Sequence, residues 1–537
     1  MSDARGKLER TDAAAAAAGA SPVVDERRQA WVVWLIGSAF VLTLLVLFYP
    51  RTTVSVDEER YLAMAGYLMR GQAFDRSSEA WFWKPRPDGI HFDRTVYSLS
   101  PLCSALLIPF VKAGWRSSCL LGTVAHVLAF GGMIYVLRRR GLSPLWAMLY
   151  LLYPTSILYS RMIMVDVPSS ALVVLMLVLL HRERPNYFVA GLVMGLAILL
   201  KLSNLPVIGM FALVTFVEDL MPRRSGSASG ADAPRFRWFW MGLGMLPGLL
   251  VLATINTIFF NGPFSNGYMG IAGGYFRWTY FVRYLPFYVK SLMTMYPLML
   301  ITPLFLRGRY RREMGLSCLA SLIFFSAYYT MDQGNTWYEY MVRGLRFQLI
   351  VVPFYTIAYA EASTRLAEKL HLRRLVRPAL ATAVVLLCAG AAVISRQFFE
   401  HTVRESDRQV QLDSMLPSSG TVVVGLNAAK YVKAVAHPEL KVLRLIGPAE
   451  LPFVVRTKDL PVLLVVVRGE VVRTEALRKP YEDECVGVLK KANECFVVRP
   501  YDRSVGGFEM RILERRVREP GTLRTWLPWS PSPETNP

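Results

Sequence analysis

Charge is scarce in this chain: Asp, Glu, Lys and Arg make up 19% of its 537 residues, against 53% hydrophobic types. A soluble protein of this length carries more, so a polytopic membrane protein is the natural class. Metal-binding patterns are missing too. The six cysteines and six histidines are scattered, and none shows the paired spacing of a zinc site. No P-loop, no Gly-rich dinucleotide fingerprint and no Gly-x-Ser-x-Gly elbow occurs. The glycines near Gly262 and from Gly270 to Gly274 lack the strand–turn–helix setting that a nucleotide site needs. An energy source bound inside the cell is therefore not legible.

What charge there is has a sign and a pattern. The net charge is +21, and the basic residues fall in short runs between apolar segments. Arg138-Arg139-Arg140, Arg182 with Arg184, and Arg223-Arg224 with Arg235 and Arg237 are examples. Arg307 to Arg312 and Arg365 to Arg377 continue the series. Basic residues in every second loop are the mark of cytoplasmic loops, and no soluble module carries the aromatic-basic patch of a nucleic-acid binder.

Crossing a bilayer takes about 20 apolar residues. Trp31 to Tyr49 meets that length, preceded by Arg27-Arg28 and ended by Pro50-Arg51. The segment reads as an uncleaved anchor behind a disordered cytoplasmic tail, 1–30. A membrane domain is expected over 31–395, with a long first external loop at 51–117. Spans are expected at 119–137, 144–160, 167–180, a short hairpin at 187–217, 238–260, 285–306, 315–330, 347–362 and 378–395. That makes roughly eleven crossings and leaves the C-terminus outside. Beyond 395 the pattern changes. Strand-like runs at Thr421–Gly425, Val442–Ile446, Val462–Val467 and Cys495–Val498 suggest a small extracytoplasmic α/β domain, 396–527, before a proline-rich tail, 528–537. Cys485 and Cys495 lie within it, where an oxidising compartment would permit a disulfide.

Against this apolar background, the acidic run Asp57-Glu58-Glu59 just after the first span stands out. A carboxylate at a membrane surface suits a general base toward a hydroxyl, a cation ligand or an anchor for a polar substrate. It equally suits the first turn of a helix, favoured by the helix dipole. Asp57 to Arg70 has Leu62, Ala65, Gly66 and Met69 on one helical face, the pattern of a surface helix. Asp166, in Val165-Asp166-Val167-Pro168, has the position of a helix cap and also faces outward. Arg161, Lys201, Arg343 and Arg346 fall at the same expected level, where long cations either bind phosphate or snorkel to the interface.

Four stretches together resemble the GT-C glycosyltransferases, in the branch of protein O-mannosyltransferases and lipid A aminoarabinose transferases. They are Asp57-Glu58-Glu59-Arg60-Tyr61, Asp93 to Pro101 leading to Ile108-Pro109, Tyr159-Ser160-Arg161 through Asp166, and Gly191 to Ala197 through Lys201. Arg343-Gly344-Leu345-Arg346-Phe347 with Pro353 is a weaker match. The chain has Ser100 where relatives often carry a lysine near the loop proline, and Arg94 is the nearby substitute.

The resemblance implies a mainly α polytopic GT-C fold in the inner membrane. It implies transfer of a sugar from a polyprenyl-phosphate donor to a protein, glycan or lipid acceptor at the outer face, with inversion. Asp57, Glu58 and Asp166 would be its catalytic residues, with Asp57 as base. Tyr61, Arg94, Arg161, Lys201, Arg343 and Arg346 would bind substrate. Several relatives work without a metal, and a divalent cation on the carboxylates is an open alternative. The rival class is a transporter or lipid flippase, which would carry repeats or charges at mid-depth. A non-catalytic assembly factor presenting the external domain is the third.

Overall fold

The computed structural model describes residues 22–53, 55–71, 101–221, 236–260, 262–264, 277–328, 344–416 and 418–424, with short stretches at 432–433, 435–437, 439–444, 462–468, 496–499 and 509–515. Arg94, Ser100, Arg343, Cys485, Cys495, most of the first loop and the 528–537 tail lie outside them.

Helices dominate. In chain order they are α1 (Pro22–Leu47), α2 (Val56–Met69), α3 (Pro101–Lys112), α4 (Leu120–Arg139), α5 (Ala147–Leu151), α6 (Pro154–Tyr159) and α7 (Asp166–Leu180). Then follow α8 (Tyr187–Leu200), α9 (Leu205–Leu220), α10 (Arg237–Phe260), α11 (Trp278–Met295), α12 (Arg311–Ser326), α13 (Val352–Lys369) and α14 (Arg373–Met415). Among the described residues five helices are long and apolar enough to cross a bilayer, within Arg27–Leu47, Trp115–Arg139, Leu202–Leu220, Arg237–Ile258 and Arg374–Glu400. Leu35, Val46, Leu128, Leu250 and Leu386 are exposed on them, as side chains meeting acyl chains would be.

Several expected spans are shorter or broken. The 144–160 segment divides into a 3-10 turn (Pro144–Trp146), α5 and α6, because Pro154 has no amide to continue the ladder and starts a new helix at its first position. The 285–306 segment divides at Leu298, which takes a left-handed conformation before the 3-10 turn Met299–Phe305. A further 3-10 turn, Leu345–Val351, precedes α13, with Pro353 in its first turn. At 15 residues, α7 is about 22 Å long, short of a full bilayer core.

Glycine decides one helix pair. Gly191 and Gly195 of α8 lie against α10, and Gly244 and Gly248 of α10 against α8. A methyl on Gly195 would sit 2.7 Å from the Met245 carbonyl oxygen, and one on Gly248 within 2.6 Å of the Gly195 backbone. In lipid, where no hydrophobic effect separates helix from tail, such close backbone approach supplies the packing energy.

The chain folds as two compact units, with a division inside α14 between Asp407 and Arg408. That helix runs on past residue 395, where the membrane domain was expected to end, to Met415. Among the described residues of the second unit, five strands form one mixed sheet: β1 (Gly420–Val424), β2 (Leu440–Arg444), β3 (Val462–Arg468), β4 (Phe496–Arg499) and β5 (Glu509–Arg515). Their order is β2-β1-β3-β5-β4. β1 pairs in parallel with β2 and β3, with Val422 opposite Val442 and Leu463, while β5 runs antiparallel to β3 and β4.

Candidate active site

The acidic run opens α2 in a capping box. Ser55 is the N-cap; its hydroxyl accepts from the Asp57 amide at 3.2 Å, and Glu58 Oε2 accepts from the Ser55 amide at 2.7 Å. Three acidic residues in the first turn also suit the positive end of the helix dipole. This much is local chemistry.

The tertiary structure then separates the neighbours. Asp57 keeps 30% of its side-chain surface exposed and meets Arg346 at 3.9 Å and Arg60 at 3.6 Å. Glu58 is 2% exposed and points elsewhere, its Oε1 accepting from the Ile163 amide at 3.0 Å. Tyr61 is buried one turn further along α2.

Asp166, in the first turn of α7, is 3% exposed and accepts from Lys201 Nζ at 2.6 Å. Lys201 sits at the C-terminus of α8 in an extended conformation, φ −154° and ψ 109°, which swings it off the helix end. Its ammonium lies 5.0 Å from the centre of the Phe347 ring. The Arg346 guanidinium lies 4.7 Å from the same ring. Phe325 stacks on Phe347 at 5.2 Å and Tyr328 meets it edge-on at 5.8 Å, so the platform is fixed by aromatic packing.

Arg346 joins the two acid–base pairs. Burial opposes its charge, but Tyr159, which hydrogen-bonds the guanidinium, together with Asp166 and Asp57, outweighs that cost and holds its proton more tightly than usual. Its Nε is buried without a hydrogen-bond partner. Gly344 lies against Phe287 of α11, whose ring atom would come within 2.6 Å of an added methyl. Glycine there lets the chain leading to Arg346 lie tight on α11.

The structure therefore gathers Asp57, Asp166, Lys201 and Arg346 around Phe347, from four separate elements. The result is two carboxylates, two cations and an aromatic floor. Arg161 is placed otherwise. It is 2% exposed, gives its donors to the carbonyls of Ile157 (3.2 Å) and Leu44 (3.4 Å) and to Ser395 Oγ (2.6 Å), and lies 4.4 Å from the centre of the Phe399 ring. Those bonds tie α6 to α1 and α14. A guanidinium spent on two carbonyls and a hydroxyl is a joint, and the expectation that Arg161 binds substrate is not supported by its surroundings.

Among the described residues no three His, Cys, Asp or Glu side chains gather as metal ligands. Asp57 and Asp166 each already face a cation, which a metal would have to displace. Sequence reasoning missed Phe347 as the shared platform and Tyr159 as the brace for Arg346. Nothing in an apolar stretch distinguishes one aromatic from its neighbours.

No family model and no curated protein matches the sequence. Solved structures do. Over 91% of this chain and 97% of the other, it aligns at 15% identity and a TM-score of 0.51 with ArnT from Cupriavidus metallidurans bound to undecaprenyl phosphate. The apo state of the same protein aligns over the same shares at 14% identity and a TM-score of 0.49. The chain has the GT-C fold. At this identity the likeness speaks for the backbone alone; the side-chain cluster stands on its own geometry.

Proposed function

We propose that the protein is an integral membrane glycosyltransferase that moves a sugar from a polyprenyl-phosphate donor to an acceptor hydroxyl at the outer face of the inner membrane, with inversion. The observation that carries this reading is the convergence of Asp57, Asp166, Lys201 and Arg346. The GT-C fold, shared with a protein whose crystals hold undecaprenyl phosphate, supports the choice of donor.

In this reading Asp57, partly exposed and only loosely paired, takes the proton of the acceptor hydroxyl as its oxygen attacks the anomeric carbon. The bond from that carbon to the phosphate oxygen breaks, and its electron pair leaves on the polyprenyl phosphate. Arg346, with an unused buried N–H, receives the phosphate, and Lys201 adds the second positive charge. Moving Arg346 onto the phosphate also relaxes its hold on Asp57, so that donor binding readies the base. Asp166 keeps Lys201 in place. The two cations beside one ring match a dianionic leaving group. In this reading the residues before α1 are cytoplasmic and the C-terminal unit is outside, the topology that the alternating basic loops support.

The test is Asp57→Asn in purified protein given a panel of polyprenyl-phosphate sugars. Turnover of the donor that the wild type consumes should fall by about 10²–10⁴, while undecaprenyl phosphate still binds. Wild-type turnover in that variant removes Asp57 as the base. A wild type that consumes none of the panel yet moves a lipid across vesicles favours the transporter reading.

A further inference from the structure

We infer that Glu58 is a positioning residue for the proposed transfer and not a second base: its carboxylate bolts the first turn of α2 to the loop that leads into Asp166. The inference rests on the reading of Asp57 as the base. Consecutive residues of a helix point about 100° apart, so Asp57 and Glu58 cannot share a direction. Asp57 faces Arg346 with part of its surface open. Glu58 faces inward, 2% exposed.

Both oxygens of Glu58 are engaged by backbone. Oε2 accepts from the Ser55 amide at 2.7 Å and Oε1 from the Ile163 amide at 3.0 Å. Two of the carboxylate's four lone-pair sites are thus taken by backbone amides that fix its direction, one on each oxygen, which suits a structural acceptor. The second bond is the informative one. A capping box needs only the first; the bond to Ile163 spans 105 positions and joins two elements that local sequence does not connect. Ile163 lies three residues before Asp166 in a loop whose side chains, Met162, Ile163, Met164 and Val165, are all buried. One carboxylate therefore fixes the residue beside it, Asp57, relative to the start of α7, and with it the Asp166–Lys201 pair. A displacement of about 1 Å in such an arrangement costs about 10²-fold in rate.

Glu58→Gln tests this, since an amide side chain has one acceptor oxygen and cannot hold both bonds. Donor turnover should drop about 10- to 100-fold with the KM for the lipid-linked sugar within about threefold of wild type. The acid limb of the pH–rate profile should stay where it is in the wild type, because the proposed base, Asp57, is itself unaltered. Hydrogen exchange at the Ile163 amide should quicken. Ser55→Ala weakens the same cap but leaves the Ile163 bond, so it should lose stability without a matching loss of kcat.

If Glu58→Gln fails to fold, Glu58→Asp takes its place: the shorter side chain keeps the charge and should fold with reduced kcat. A displaced or missing acid limb, unchanged exchange at Ile163, or full turnover in the substituted protein overturns the inference. Failure of the base reading itself looks different: Asp57→Asn would then keep its turnover, whatever Glu58→Gln does.

Discussion

The two ends of α7 carry charged clusters of opposite design. At its start, Asp166 pairs with Lys201, and the neighbouring Asp57–Arg346 contact is long, partly exposed and leaves a buried N–H unused. About 22 Å away, past its last turn, His181 accepts from Arg140 Nη1 at 3.1 Å and donates to the Leu177 carbonyl at 2.9 Å. Arg140 also donates to the carbonyls of Arg307 and Arg309 and, through Nε at 2.8 Å, to Glu361. Glu361 in turn accepts from the Arg307 amide at 2.8 Å and from Arg365 at 3.1 Å. This second cluster is closed: the Arg140 donors each meet an acceptor, and α4, α7, α13 and the segment before α12 are locked together. The first is open, with fewer partners than its groups could take. A saturated network serves the fold; in the proposed reading, the spare donor and the loose ion pair of the other are what a phosphate would engage.

Removing one member of each cluster should sharpen that contrast. The largest loss of stability is expected at the closed end. Glu361→Ala leaves Arg140, only 6% exposed at its side chain, without its carboxylate. Unfolding in detergent should show a loss of about 3–5 kcal/mol, with undecaprenyl phosphate affinity in the surviving folded fraction unchanged. Equal damage to binding would break the comparison.

Next comes Lys201→Met at the open end. It leaves Asp166 buried and unpaired, so donor turnover should fall by about 10²–10³ along with a drop in melting temperature. Pairing it with Asp166→Asn should return the stability but not the turnover, and a double variant that recovers both would show the pair to be structural.

A smaller effect is expected with pH. Burial pushes the His181 imidazole down to about 4 from its ordinary 6.5, with Arg140 and Arg309 adding to the shift and the Leu177 bond opposing it. The folded protein thus binds fewer protons than the unfolded chain between those values, so stability is full above pH 6.5 and declines as pH falls toward 4. His181→Gln should flatten that decline in melting temperature; an unaltered slope would place its origin elsewhere. The mildest change is Phe347→Leu, which removes the ring beside both cations and should weaken undecaprenyl phosphate binding by about 0.5–2 kcal/mol, measured by titration.

Much of the open cluster was legible because charge is so rare here. Asp57, Asp166, Lys201 and Arg346 could be picked out as polar residues at the ends of apolar runs. Their neighbours could not be sorted the same way. Glu58 differs from Asp57 by one position and one methylene, yet a helical step of about 100° sends it into the protein, and only the amide of Ile163 reveals what it meets. Arg161 had the right level and the right charge, and is consumed by carbonyls. Hydropathy, averaged over a window, also ran through Pro154 and Pro353, each of which lies in the first turn of a new α-helix.

Composition, periodicity and the alternation of basic loops were enough to specify helices in a membrane, since the cost of an unpaired peptide group in lipid leaves few other solutions. Which side chains meet was settled only by packing. The approach of α8 to α10 through their glycines, the turn before α13 and the buried bond to Ile163 set directions that differ by a fraction of a helical turn, and at that scale one carboxylate is left partly open beside a cation and its neighbour is buried against a backbone amide.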